Sequence, residues 1–232
     1  MDIKNLEEKI GVEFKKKELL KEALTHRSYL NENPNFKTSH NERLEYLGDA
    51  VLELITTEFL YEAYPSYQEG QLTTLRAALV NYQMLGKIGK EINLDKYLLL
   101  SRGESKDTGK AREVILANTV EALIGSIYLD QGYEVAKKFI KEFVFSHLEE
   151  ILSQKLYRDP KSTLQEIAQN KLKLTPTYKV LSEAGPDHNK KFVIGVYLGE
   201  NISAEGKGTS KQEAEINAAE SALKNFKEGE PR

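Results

Sequence analysis

The chain has 232 residues, 40% of them hydrophobic and 30% charged, with a formal net charge of −3 and no cysteine. Enough apolar residues are present to bury one large core or two smaller ones, while disulfides and thiolate metal sites are excluded. Bulk charge does not point to nucleic acid: up to Lys155 the chain is mildly acidic and beyond it nearly neutral, so any such contact has to come from local placement.

The opening stretch MDIKNLEEKIGVEF is charged and lacks an apolar signal segment, and no apolar run is long enough to span a membrane. A reducing, cytoplasmic location is therefore expected. Residues 5–30 carry two helical patterns broken at Gly11, the second through Leu19, Leu20, Ala23 and Leu24 into Thr25-His26-Arg27-Ser28-Tyr29. His26 has no nucleophile or acid beside it in sequence and is read as a structural histidine. Asn31 to Ser39 is a polar loop containing Pro34.

The stretch His40 to Leu52 (HNERLEYLGDAVL) opens a long helix that stops at Pro65. Leu44, Leu47, Val51, Leu54 and Ile55 recur at helical spacing and are expected in the core. At 100° per residue Glu42, Glu45 and Asp49 fall on the opposite face, within about 60° of one another. Such a face is either a plain solvated surface or a site for a hard divalent cation, which prefers oxygen ligands and relieves carboxylate repulsion. Gly48, poor for a helix, and Tyr46, an aromatic near the acids, both favour the second.

After Pro65, Glu69-Gly70 starts an amphipathic helix through Leu72, Leu75, Arg76, Leu79 and Val80, continued after Asn81 by Met84, Leu85 and Ile88. Glu69 suits a helix start. Arg76 either reaches a phosphate or caps a core edge. Ser101 to Lys110 is a polar, glycine-containing loop without a phosphate-cradling pattern, so no nucleotide cofactor is expected. A second long helix begins at Arg112, with Leu116, Val120, Leu123 and Ile127 facing inward and Asn118 and Glu121 sharing a face. An acid on so apolar a helix needs solvent or a cation. Tyr133 to Ser153 reads as one last amphipathic helix with Phe139, Phe143 and Leu148 in the core.

The tail changes character. Asp159-Pro160 is a helix start, and the helix runs through Leu164, Ile167 and Ala168. Three strand-like runs follow, Thr177–Ser182, Lys191–Leu198 and Ile202–Glu205, with a hairpin at Gly199-Glu200-Asn201. Ser210 and Glu213 have capping-box spacing ahead of an alanine-rich helix through Ala214, Ala218, Ala219, Ala222, Leu223 and Phe226.

The stretch Asn41 to Leu52 closely resembles the signature of the bacterial ribonuclease III family, and the Thr25–Tyr29 and Arg112–Gly125 stretches are similar to its neighbouring motifs. Asp159 to about Lys227 resembles a double-stranded RNA-binding domain. The resemblance implies an α+β chain overall: an all-α endonuclease domain over residues 1–155, which dimerises, then a small αβββα domain over 156–232.

The family resemblance further implies a Mg2+-dependent endonuclease for double-stranded RNA, with Mn2+ as a substitute ion, acting in rRNA and mRNA processing. Its products carry 5′-phosphate and 3′-hydroxyl ends with short 3′ overhangs. Glu45, Asp49, Asn118 and Glu121 become metal ligands, with Asp49 and Glu121 catalytic and Asp49 placed to position or deprotonate the attacking water. Glu42 supports RNA or a second metal. Asn118 departs from the family's usual aspartate, which lowers the site's charge and opens an alternative: a protein that binds double-stranded RNA with weakened or absent cleavage. A redox-active helical carboxylate protein would carry Glu-x-x-His pairs, and none occurs.

By the same resemblance Gln165, Glu166 and His188 meet minor grooves, and Lys190, Lys211 and Gln212 lie near phosphates, Gln212 replacing a second lysine. Such domains read A-form RNA by shape, 2′-hydroxyls and phosphates, so modest net charge suffices. Glu69 and Arg76 are the further RNA-contact candidates, Glu69 because the family has an acid of the cutting site there. Tyr46 is the candidate anchor of a homodimer, fitting a socket on the partner.

Overall fold

In the computed structural model, residues 3–154, 160–185 and 190–228 are described. The chain divides into two compact units, Met1–Tyr157 and Arg158–Arg232. The expected domain boundary after Lys155 and the expected cap Asp159 lie outside the described residues.

The first unit is helical: α1 (Ile3–Ile10), α2 (Lys17–Ala23), α3 (Arg27–Glu32), α4 (Glu42–Ala63), α5 (Glu69–Val80), α6 (Tyr82–Glu91), α7 (Lys110–Gln131), α8 (Tyr133–Phe143) and α9 (Leu148–Gln154). Helix α7 is its axis. Leu116, Val120, Leu123 and Ile127 are fully buried there, and α2, α4, α6 and α8 all pack on it.

Helix α4 lies against α7 more extensively than any other pair, and two glycines explain why. A Cβ on Gly48 would sit inside the carbonyl group of Glu121, and one on Gly125 inside that of Leu44. Only the absence of both side chains lets the two backbones approach so closely. The poor helix former at position 48 is thus a packing requirement.

Two expectations are corrected. Leu54, expected in the core, is 59% exposed. It lies at the edge of the apolar arc of α4, while Leu44, Val51, Leu52 and Ile55 fill the centre. The single helix expected from Tyr133 to Ser153 is interrupted: α8 ends at Phe143 and a 3-10 turn, Phe145–His147, precedes α9. There the Phe145 ring stacks on Phe59 of α4, centroids 4.1 Å apart, and that burial favours the turn over another turn of α-helix. The break between α5 and α6 at Asn81 has a local cause, since its side chain accepts from the Met84 N–H and starts α6.

The second unit comprises α10 (Pro160–Leu172), β1 (Pro176–Ala184), β2 (Lys191–Leu198), β3 (Asn201–Gly208) and α11 (Lys211–Glu228). The strands form one antiparallel sheet in the order β1-β2-β3, and β1 and β3 run longer than their apolar runs. The β2–β3 hairpin turns at Gly199, whose positive φ of 66° favours glycine. Leu164, Val196, Ala218, Ala219 and Ala222 form the main core. The small alanines of α11 let it settle on β3, where a Cβ on Gly206 would collide with Ala218. At the start of α11 the Glu213 N–H donates to Ser210 Oγ at 3.1 Å, while the Glu213 carboxylate accepts from Thr209 rather than Ser210.

Gly125→Ala inserts a methyl group where α4 and α7 touch, and overpacking of this kind costs about 1–3 kcal/mol. A urea melt of the variant is expected to show a lower midpoint. An unchanged midpoint would mean that the two helices can part without loss.

Candidate active site

The close approach of α4 and α7 places an acidic face on each beside the other. Helix α4 is fixed at its start by Asn41, which is buried; its side-chain amide donates to the Ala23 carbonyl at 3.3 Å and its N–H to the Thr25 carbonyl. Just upstream, His26 caps α3, its Nδ1 accepting from the Ser28 N–H, and burial lowers its pKa. These contacts suit a neutral structural histidine. The Ser101–Lys110 loop is tied to the same corner: the Ser101 N–H donates to Ser28 Oγ and the Arg102 N–H to Glu32.

Glu45, Asp49, Asn118 and Glu121 come together across the α4–α7 contact. Glu45 is half-buried and its pKa is raised, first by burial and then by the Glu42 charge, against a hydrogen bond from the Asn118 side chain. Glu121 is the most perturbed. Burial, and after it the charges of Asp49, Glu45 and Glu53, push its carboxyl from 4.5 up to about 8. Asp49 itself is exposed, and so is Glu42, which turns away toward Arg27 (3.5 Å) and His40 (3.8 Å).

The donor set is all oxygen, three carboxylates and an amide, on a rigid pair of helices. This is the chemistry a hard divalent cation selects, and a cation would relieve the carboxylate repulsion that adds to burial in raising the Glu121 pKa. Among the described residues no three His, Cys, Asp or Glu side chains already stand around one metal-sized point. The fourth donor is an amide.

Glu53, absent from the sequence-based site, joins the face one turn beyond Asp49. Its helical spacing could have revealed it, but Arg76 disguises it: Arg76 Nε pairs with Glu53 at 2.7 Å and its NH1 donates to Thr57 Oγ1 at 2.8 Å. Glu69, the first residue of α5, is exposed and accepts from Thr73 Oγ1. Thr57, Leu60, Tyr61, Tyr67, Glu69, Leu72, Thr73 and Arg76 line a largely apolar cavity of about 480 Å3 beside the C-terminal half of α4. Tyr46 is 83% exposed and Tyr61 74%.

In the second unit Gln165 and Glu166 are exposed on α10, as are Lys211 and Gln212 at the start of α11. Gln165 and Gln212 line one groove with Lys161, Ser162 and Tyr178. Lys211 Nζ lies 5.8 Å from the Phe192 ring centroid, and Lys190 pairs with Glu183 at 2.6 Å. His188 lies outside the described residues.

The raised carboxyl of Glu121 has a consequence for stability. An acid whose folded pKa exceeds its unfolded value binds more protons in the folded state between the two, so stability falls as pH rises through that window. For Glu121 the window runs from 4.5 to about 8. In metal-free buffer the wild type is expected to lose more melting temperature between pH 5 and pH 8 than Glu121→Gln does. Parallel pH profiles for the two would show that Glu121 is an ordinary surface acid.

Comparison with known proteins places the chain. A family model described as ribonuclease-III-like matches residues 16–148, and one described as a double-stranded RNA binding motif matches residues 160–226. Ribonuclease 3 of Borreliella burgdorferi is 45% identical over 94% of this chain and 88% of its own length. Ribonuclease 3 of Dehalococcoides mccartyi is 42% identical over 97% of this chain and 95% of its own. Among solved structures, the nuclease domain of the Campylobacter jejuni ribonuclease III superposes with a TM-score of 0.57 at 41% identity, over 62% of this chain and 97% of that one. A match this long, running through both the helical unit and the RNA-binding unit behind it, makes the chain a member of the ribonuclease III family of endoribonucleases.

Proposed function

We propose that the chain is a cytoplasmic, Mg2+-dependent endonuclease that cuts double-stranded RNA to 5′-phosphate and 3′-hydroxyl ends with short 3′ overhangs, in rRNA and mRNA processing. The observation that carries the reading is the meeting of Glu45, Asp49, Asn118 and Glu121 across the α4–α7 contact, where burial first, and then the charges of Asp49, Glu45 and Glu53, push the Glu121 carboxyl up to about 8. Such strongly perturbed acids mark functional sites.

Glu45, Asp49, Asn118 and Glu121 are the residues that would hold the ion, Mg2+ or Mn2+ in its place. When bound, a divalent cation lowers the pKa of a water and offsets charge on the leaving oxygen. Asp49, the exposed member, would orient an attacking water and take its proton at a carboxylate oxygen. Attack at phosphorus breaks the bond to the 3′ oxygen, which leaves as the hydroxyl end. Glu42, held by Arg27 and His40, stays at the periphery and supports RNA. Asn118 donates to Glu45, so it orders a ligand even where it brings less charge than an aspartate. The second unit supplies the grip on the duplex, through Gln165, Glu166 and His188 at minor grooves and Lys190, Lys211 and Gln212 near phosphates.

The cut needs two such sites, and the exposed side of α4 supports a homodimer. Tyr46, Ala50, Leu54, Thr57 and Tyr61 follow at spacings of four, four, three and four, which keeps them within about 80° on the helix. All five are exposed. A two-fold contact is self-complementary, so one end of the stripe must receive the other. Tyr46 is the knob at one end, the cavity beside Thr57 and Tyr61 is the socket at the other, and Leu54 lies near the axis. The related Campylobacter jejuni domain is described as having a region involved in dimer formation. Glu69, on the rim of that socket, would be carried toward the partner's site.

Glu121→Ala is expected to abolish cleavage of a long RNA duplex in Mg2+ while leaving duplex binding nearly intact. Loss of both together would overturn the division of labour between the units. Cleavage by the wild type that is indifferent to Mg2+ would overturn the metal chemistry.

Burial of an interfacial aromatic is worth about 2 kcal/mol or more, so Tyr46→Ala should weaken dimerisation in sedimentation and shift products toward nicks. A wild type that remains monomeric at high concentration yet cuts both strands would refute the dimer.

A further inference from the structure

The acidic face of α4 does not end at Asp49. Glu42, Glu45, Asp49 and Glu53 lie within about 80° on the helix, and the two at its ends each meet an arginine: Glu42 meets Arg27 at 3.5 Å, and Glu53 meets Arg76 Nε more tightly, at 2.7 Å. Arg76 does not point free into solvent. Its guanidinium bridges Glu53 and the Thr57 hydroxyl, and both Arg76 and Thr57 are walls of the apolar cavity that also contains Tyr61, Tyr67 and Leu72. One side chain therefore belongs to two places at once, the edge of the acidic cluster and the lining of the cavity.

We infer that Arg76 is a positioning residue that pairs with Glu53 and weakens the pull of that carboxylate on the ion site, and that the same guanidinium forms part of the socket for the partner. The inference rests on the proposed metal site and dimer and adds a physical link between them. Without its counter-ion, Glu53 stands one helical turn from Asp49 as an additional free anion. It would then draw the cation toward the wrong end of the face. The planar fork suits the task because it can satisfy a carboxylate and a hydroxyl together, which the single ammonium of a lysine does less well. A seated partner ring would also exclude water from the Glu53–Arg76 pair and strengthen it.

The two roles separate experimentally in the full chain without RNA, using Mn2+ binding by calorimetry or electron paramagnetic resonance and dimerisation by sedimentation. Arg76→Gln exposes the Glu53 charge and is expected to bind Mn2+ about threefold or more tightly, the effect of one unit charge within several ångström even in water-like surroundings. Combining Arg76→Gln with Glu53→Gln should return Mn2+ affinity to near the wild-type value, while dimerisation stays weakened because the socket wall is still missing. Arg76→Lys keeps the charge and loses the fork, so Mn2+ affinity should stay near wild type while the dimer weakens. Equal Mn2+ affinities for Arg76→Gln and the double variant would overturn the inference, as would undiminished dimerisation in all three. A wild type that binds no Mn2+ would instead overturn the underlying reading of the site, and that result appears before any substitution is made.

Discussion

The contact on which the site depends is backbone against backbone, where Gly48 of α4 meets Glu121 and Gly125 of α7 meets Leu44. Helices that touch through ordinary side chains keep their axes about 8–10 Å apart, and acids on their flanks are then separated by a layer of apolar groups. Removing two side chains from that layer brings the flanks together. Glu121 is consequently partly buried beside the acids of α4, and that burial first, then the charges of Asp49, Glu45 and Glu53, pushes its carboxyl up to about 8. That strain is electrostatic and local, and the surrounding core sustains it: Leu116, Val120, Leu123 and Ile127 on α7 and Leu52 and Ile55 on α4 are fully buried.

Helix α4 works on three sides. One arc fills the core, a second carries the acids, and a third, adjacent to the acids, carries exposed apolar residues from Tyr46 to Tyr61. Because the second and third arcs adjoin, whatever covers the apolar stripe also sits at the border of the acidic cluster. The Glu53–Arg76 pair lies on that border. In the proposed homodimer, the helix that sets the spacing between two sites would also be the helix that carries them.

The second unit solves a different problem with little charge. Its helix α11 seats on the sheet through alanines, leaving Lys211 and Gln212 exposed at one end, while Gln165 and Glu166 are exposed on α10. Recognition by groove shape and hydroxyls needs placed polar groups more than bulk positive charge, which is consistent with a tail that composition alone would pass over.

Much of this was legible in the residues. Helical period placed Glu42, Glu45 and Asp49 on one face and Asn118 with Glu121 on another, and turn and capping signals placed the αβββα tail, because these are local properties of a chain with fixed rise and twist. Period alone could not place Leu54, which lies at the margin of an apolar arc where burial depends on what packs opposite. Nor could it place the break after Phe143, which the ring of Phe59 on another helix brings about. Arg76 could be read as a phosphate contact or a core-edge cap, and only α5 laid beside α4 pairs it with Glu53. The sequence by itself determined which residues share a face; the tertiary structure alone decided which faces meet, because that depends on how closely two backbones can approach, and here two missing side chains set the distance.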